Sequence, residues 1–195
     1  MKAAEHCPTR MGQGSGRWVA VVLGILLSAS STGAATAQKA PRPPPPTTPT
    51  VAKVHILKNA HRMDLLTKDG ALVASYRVAI GPGGTGNKHR EGDKVTPIGR
   101  YHVISRNPSD FKIFMRLDYP NADDRARFAR LKADGTLPKW ATIGGDIGIH
   151  GGTPPGYATG EAEHDWTLGC ISVEDAEIVA IAPQVKDGTV VEIED

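Results

Sequence analysis

Asp165-Trp166-Thr167-Leu168-Gly169-Cys170-Ile171-Ser172 is the stretch on which the reading of this chain turns. It holds one of only two cysteines in 195 residues. The other, Cys7, falls in a segment that reads as an export signal, so the exported chain keeps a single thiol. A lone thiol in an oxidising compartment has no intramolecular disulfide partner and points to reactivity or intermolecular pairing. Cysteine is nucleophilic as the thiolate, a form favoured by a nearby imidazole or a helix N-terminus. His150, followed by Gly151, ends the short apolar run Ile147-Gly148-Ile149 and is the candidate base. Ser172 reads as the N-cap of a helix running to about Ala182, with Glu174, Asp175 and Glu177 in its first turns. That placement sets the positive end of a helix dipole close to the sulfur. Gly169 lets the backbone turn tightly, so the N–H groups of Gly169 and Cys170 can face an oxyanion.

Residues 1–37 have the composition of a secretory signal: basic Lys2, Arg10 and Arg17, the apolar run from Trp18 to Leu27, and Ala35-Thr36-Ala37 before a cleavage point at Gln38. Ten apolar residues are short for a membrane span. The expectation is therefore an exported, periplasmic protein without a retained span. The formal charge of the whole chain is +2, but residues 1–37 carry three basic residues and one acidic residue; the rest has 20 of each and no net charge. No basic excess marks a nucleic-acid partner. Residues 38–51 are a proline-rich tether, extended and semi-rigid. Residues 52–195 are long enough for one domain with its own core.

Within that domain, Val54–Leu57 and Arg62–Leu66 are short apolar-rich runs, and Lys68-Asp69-Gly70 turns the chain into a strand from Leu72 to Ile80. Gly81 to Gly86 reads as a flexible loop, and no helix pattern follows to make it a phosphate cradle. A strand from Gly99 to Ile104, a helix from Asp123 to Ala133 stopped by Asp134-Gly135, the strand Ile147–Ile149 and a last strand Val190–Ile193 complete the reading. The fold class is mostly β with two short helices, an α+β domain. No metal-ligand spacing is present, and no cofactor is expected.

His150-Gly151 followed by Thr167-Leu168-Gly169-Cys170-Ile171 resembles the motif of the L,D-transpeptidases of the YkuD family. Lys94-Val95-Thr96-Pro97-Ile98-Gly99-Arg100-Tyr101 is similar to that family's Lys-x-Thr-Pro-x-Gly-x-Phe/Tyr segment. Leu117–Asn121, Gly145–Gly151 and Asp187–Ile193 resemble further family segments, and His164 to Ile171 resembles a branch carrying His-Asp-Trp-Thr-x-Gly-Cys-Ile. The resemblance implies the family's β-sandwich or barrel and action on peptidoglycan stem peptides. It gives Cys170 the attack on stem residue three with loss of the terminal D-alanine, and His150 the proton transfers. It also gives the Gly169 and Cys170 N–H groups the oxyanion, and the Gly151 carbonyl the orientation of the imidazole. An amine of a second stem then resolves the thioester to a 3→3 cross-link.

Thr167, Trp166, Ser172 and Arg116 are the candidate substrate contacts. Trp166 serves equally as packing under the Cys loop, Thr167 braces the turn, and Arg106, Arg116 and Arg125 compete with the commoner role of solvated arginine. Leu168 stands where many members have His, and Ser172 where many have Arg or Asn, departures that bear on the acceptor. The alternatives are resolution by water or by a protein lysine, which would make a carboxypeptidase or an enzyme attaching or releasing an envelope protein. A non-catalytic envelope-binding module is the alternative of another class. A papain-type peptidase is disfavoured because His150 precedes Cys170 in the chain.

Overall fold

The computed structural model describes residues 49–195 except 157, 158 and 160–163. The expected signal, residues 1–37, and residues 38–48 of the expected tether lie outside the described residues.

Strands β1 (Lys53–Leu57), β2 (Arg62–Leu66) and β3 (Leu72–Arg77) form an antiparallel meander. Alternation explains it: Val54 and Ile56 on β1, and Met63 and Leu65 on β2, point to one side and are fully buried. Asp69-Gly70 makes the expected turn, with Gly70 at a φ of 84°. The last strand, β8 (Val190–Glu194), lies parallel to β1 and adds Val191 and Ile193 to the same core.

Next to it runs β4 (Gly99–Ser109), which pairs with β8 at its start and, past a bulge, with β5 (Lys112–Leu117) at its end. The sequence reading stopped β4 at Ile104 and gave no strand at β5. Pro108 reads as a strand breaker, yet the strand runs through it. β6 (Gly148–Thr153) pairs antiparallel with β5, and β7 (Ile171–Glu174) pairs parallel with β6. The sheet order is β3-β2-β1-β8-β4-β5-β6-β7. Past the end of β3, Ala79 and Ser172 exchange two backbone hydrogen bonds of 2.8 Å, which nearly closes the sheet into a barrel. This is the mostly β fold with two short helices that the sequence led us to expect.

Helix α1 (Ala122–Ala133) is capped by Asn121, whose side chain accepts the N–H groups of Asp123 and Asp124. Asp124 returns a carboxylate oxygen to the Asn121 N–H at 3.1 Å, completing a capping box. Helix α2 (Asp175–Ile181) packs on β5, β6 and β7. It begins after Glu174, which corrects the expected N-cap at Ser172. Ile171-Ser172-Val173 is buried throughout and bonded to β6 and Ala79, so burial and pairing make it a strand. A four-residue strand therefore separates Cys170 from α2, and the expected helix-dipole assistance to the thiol falls away. Among the described residues, no helix is long and apolar enough to cross a membrane.

Candidate active site

The segment carrying Cys170 is fastened to the chain leaving β3. The Ile80 carbonyl accepts the N–H groups of Trp166 and Thr167 at 3.1 and 3.2 Å. The Asp165 carboxylate accepts the Ile80 N–H at 2.9 Å and meets the His61 imidazole at 3.1 Å. Gly81 continues this contact: a Cβ there would lie 1.9 Å from the Lys94 carbonyl oxygen, so the loop expected to be flexible is packed at its first residue.

Gly169 sits at a φ of 128°, and a Cβ on it would lie 2.9 Å from the Val95 carbonyl oxygen and 3.2 Å from Ile147 Cδ1. Gly169→Ala is therefore expected to cost about 1–3 kcal/mol in backbone strain and to displace the adjacent thiol. Thermal unfolding and the rate of Cys170 modification by a thiol reagent, measured together, check this.

Thr167 is buried, its hydroxyl donates to the Cys170 carbonyl at 2.8 Å, and it accepts the Gly169 N–H at 3.2 Å. It braces the turn, as its position in the sequence suggested. The same contact corrects the oxyanion reading in part, because the Gly169 N–H is already committed to Thr167.

The Cys170 thiol lies 3.4 Å from the Asp146 carbonyl, to which it donates. Burial pushes its pKa above the ordinary thiol value; the Gly148 N–H and the positive charges of Lys88 and Arg116 oppose that rise without cancelling it. His150 is only 3% exposed. Its ring lies 4.6 Å from that of Phe111, 5.8 Å from that of Phe114 and 5.7 Å from that of Trp166. Burial lowers its pKa, partly offset by the Gly151 carbonyl, which accepts from Nδ1 at 2.6 Å. A carbonyl only accepts, so Nδ1 carries the proton and Nε2 keeps its lone pair. Both groups are thus held in their uncharged forms.

His150 and Cys170 open on one cleft of about 800 Å³, together with Trp166, Thr167, Leu168 and Arg116. Arg116 pairs with Asp146 and lies 5.4 Å over the Phe114 ring. Leu168 is 72% exposed on the cleft wall. Trp166 Nε1 is buried and has no hydrogen-bond partner among the described residues. Ser172 is the exception among the expected substrate contacts: it is fully buried beneath the site and does not line the cleft. As a residue of β7, it points its hydroxyl to the Gly151 carbonyl at 3.0 Å and to Thr153 Oγ1 at 2.6 Å. Arg106 is likewise held elsewhere, by Asp187 and the Ala182 carbonyl.

Lys88, Phe111, Phe114 and Asp146 are among the cleft residues that the sequence did not mark as site residues. Lys88, 4% exposed, pairs with Asp93 at 2.6 Å. Burial acts to raise the Asp93 pKa, but Lys88 and the N–H groups of Arg90, Val95 and His89 outweigh it and hold the carboxyl below its ordinary value. Asp146 stood within a quoted motif, the only signal pointing to it. Among the described residues, no cluster of His, Cys, Asp or Glu could hold a metal ion.

A thiol just before β7 and a tautomer-locked imidazole within the neighbouring β6 of a nearly closed barrel define a Cys–His site. The model of the L,D-transpeptidase catalytic domain, YkuD, matches residues 52–193, and the chain belongs to that family. Among solved structures, the chain is similar to the helical cell shape determining protein Pgp2 from Campylobacter jejuni, with 26% identity and a TM-score of 0.55 over 75% of this chain and 48% of that one. It is also similar to the L,D-transpeptidase from Xylanimonas cellulosilytica, with 19% identity and a TM-score of 0.45 over 78% of this chain and 64% of that one. The chain spans about half the length of the Pgp2 chain it matches. Comparison with curated protein sequences finds no match.

Proposed function

We propose that this protein is an exported L,D-transpeptidase that acts on the tetrapeptide stem of peptidoglycan through a Cys170 thioester. The observation that carries the reading is the shared cleft, in which His150, locked by Gly151 with its Nε2 lone pair free, opens beside the only free thiol of the described residues. Nε2 takes the thiol proton as Cys170 Sγ bonds to the carbonyl carbon of stem residue three. The Cys170 N–H holds the oxyanion that forms, since the Gly169 N–H is engaged by Thr167. As the carbon–nitrogen bond breaks, His150 returns the proton to the departing D-alanine amine and the thioester remains. The amine of a second stem attacks the thioester, gives its proton to His150 and leaves a 3→3 cross-link. The thiol is then restored.

Trp166, Leu168 and Arg116 line the cleft where the stems lie. Arg116 and Lys88 favour the thiolate that forms as Cys170 gives up its proton. The similarity to Pgp2, described as determining helical cell shape, suggests a part for this protein in shaping the cell wall. The expected signal places that work in the envelope, on the periplasmic side.

Purified tetrapeptide muropeptides incubated with the full chain, with products resolved by mass, test the proposal. Free D-alanine and 3→3 dimers are expected. Release of D-alanine without dimers moves the acceptor to water, and no D-alanine release overturns the proposal.

A further inference from the structure

The Gly151 carbonyl receives two donors. His150 Nδ1–H reaches it at 2.6 Å and the Ser172 hydroxyl at 3.0 Å. Serine has one hydroxyl proton, and here it is spent on Gly151, so the 2.6 Å contact between Ser172 Oγ and Thr153 Oγ1 has Thr153 as donor. The result is a directed chain: Thr153 hydroxyl to Ser172 hydroxyl to Gly151 carbonyl, with the His150 ring on the carbonyl's other lone pair. Ser172 is 0% and Thr153 3% exposed, so neither hydroxyl has water as a substitute partner. The parallel register places Ser172 opposite His150, and its irregularity before Thr153 lets both β6 groups converge on one β7 hydroxyl.

We propose that Ser172 and Thr153 are positioning residues for His150, which fix its tautomer and tune its basicity through the shared Gly151 carbonyl. The inference rests on the reading of His150 as the base. A neutral carbonyl orients an imidazole without the charge that would stabilise imidazolium strongly. A second donor draws electron density from that carbonyl and weakens its pull on the Nδ1 proton further. The imidazolium formed when Cys170 loses its proton is then kept short-lived and gives the proton up readily to the departing amine. The charged and titratable groups that share the cleft with the ring are Lys88, Glu91, Lys94, Asp110, Arg116, Asp146 and Cys170; on the α2 side, Asp175 accepts the Gly152 N–H and meets Lys112. All of them remain in place when a hydroxyl of the chain is removed.

The test is the titration of the His150 ring nitrogens by NMR in the full chain with ¹⁵N-labelled histidine, assigned by the signal lost in His150→Gln. Ser172→Ala is expected to raise the ring pKa by about half a unit, and to carry the acid limb of D-alanine release up with it while KM stays unchanged. Thr153→Val, which keeps the shape of the side chain, is expected to give a smaller shift in the same direction, and Thr153→Ser to restore the original value. Thr153→Val decides the matter if Ser172→Ala fails to fold. A ring titration that does not move in folded variants overturns the proposal, even where activity falls. The titration needs no substrate, so a wild-type chain that releases no D-alanine overturns the function proposed above and leaves this chain of hydrogen bonds to be judged by its own shift.

Discussion

Cys170→Ala is expected to lower D-alanine release from a tetrapeptide stem by about 10⁴-fold or more, the scale on which loss of a covalent nucleophile acts. Cys170 is the one thiol that lines the cleft. The described residues contain no second thiol, and Thr167, the hydroxyl beside it, donates its proton to the Cys170 carbonyl and is buried in the turn. The change removes one polarisable atom from a partly exposed position. Its cost in stability is therefore about 1 kcal/mol or less. Thermal unfolding alongside the D-alanine assay separates chemistry from folding. Retained release in a folded Cys170→Ala chain would mean that the cleft works by another route or serves only to bind.

His150→Gln is expected to reduce kcat by about 10³-fold with little change in KM, because glutamine fills part of the aromatic box but takes up no proton at neutral pH. The pH profile carries the same argument further. Burial lowers the His150 pKa from its ordinary value of 6.5 and raises that of Cys170 from 9.0. The resting pair is thus thiol and neutral imidazole, and His150 acts as a general base at the moment of attack. The base is active when deprotonated, so kcat/KM is expected to fall as pH drops through a value below 6.5, not at or above it. In His150→Gln that acid limb disappears. An acid limb at or above the ordinary imidazole value would contradict a base whose pKa burial holds down. The measurement is the rate of D-alanine release across the acid range at subsaturating substrate.

Much of the barrel is legible in the sequence because its strands alternate. β1, β2 and β8 place every second residue in the core, and Asp69-Gly70 announces the turn after β2. β7 was not legible. Ile171 to Glu174 is too short to show a period, and the carboxylates that follow imitate the first turn of a helix; the partners that make it a strand, β6 and Ala79, are far away in the chain. β5, Lys112–Leu117, escapes because only two of its six residues are buried, so no clean alternation marks it. The site divides in the same way. Cys170, His150, Gly151, Gly169 and Thr167 belong to compact motifs whose spacing carries them. Phe111 and Phe114 come from the hairpin that the sequence did not show, and Lys88 is buried only because Asp93 meets it across a folded loop. Ser172 reads as a substrate contact because it stands where many family members have Arg or Asn, whereas β7 turns its side chain inward, behind the base.

Intact mass of the full chain, quenched during reaction with a tetrapeptide stem and followed by peptide mapping, tests the central claim most directly. The account predicts a mass gain equal to the stem less D-alanine, located on Cys170, labile to hydroxylamine and absent from Cys170→Ala. D-alanine release with no adduct on Cys170, or with the adduct on another residue, would contradict it.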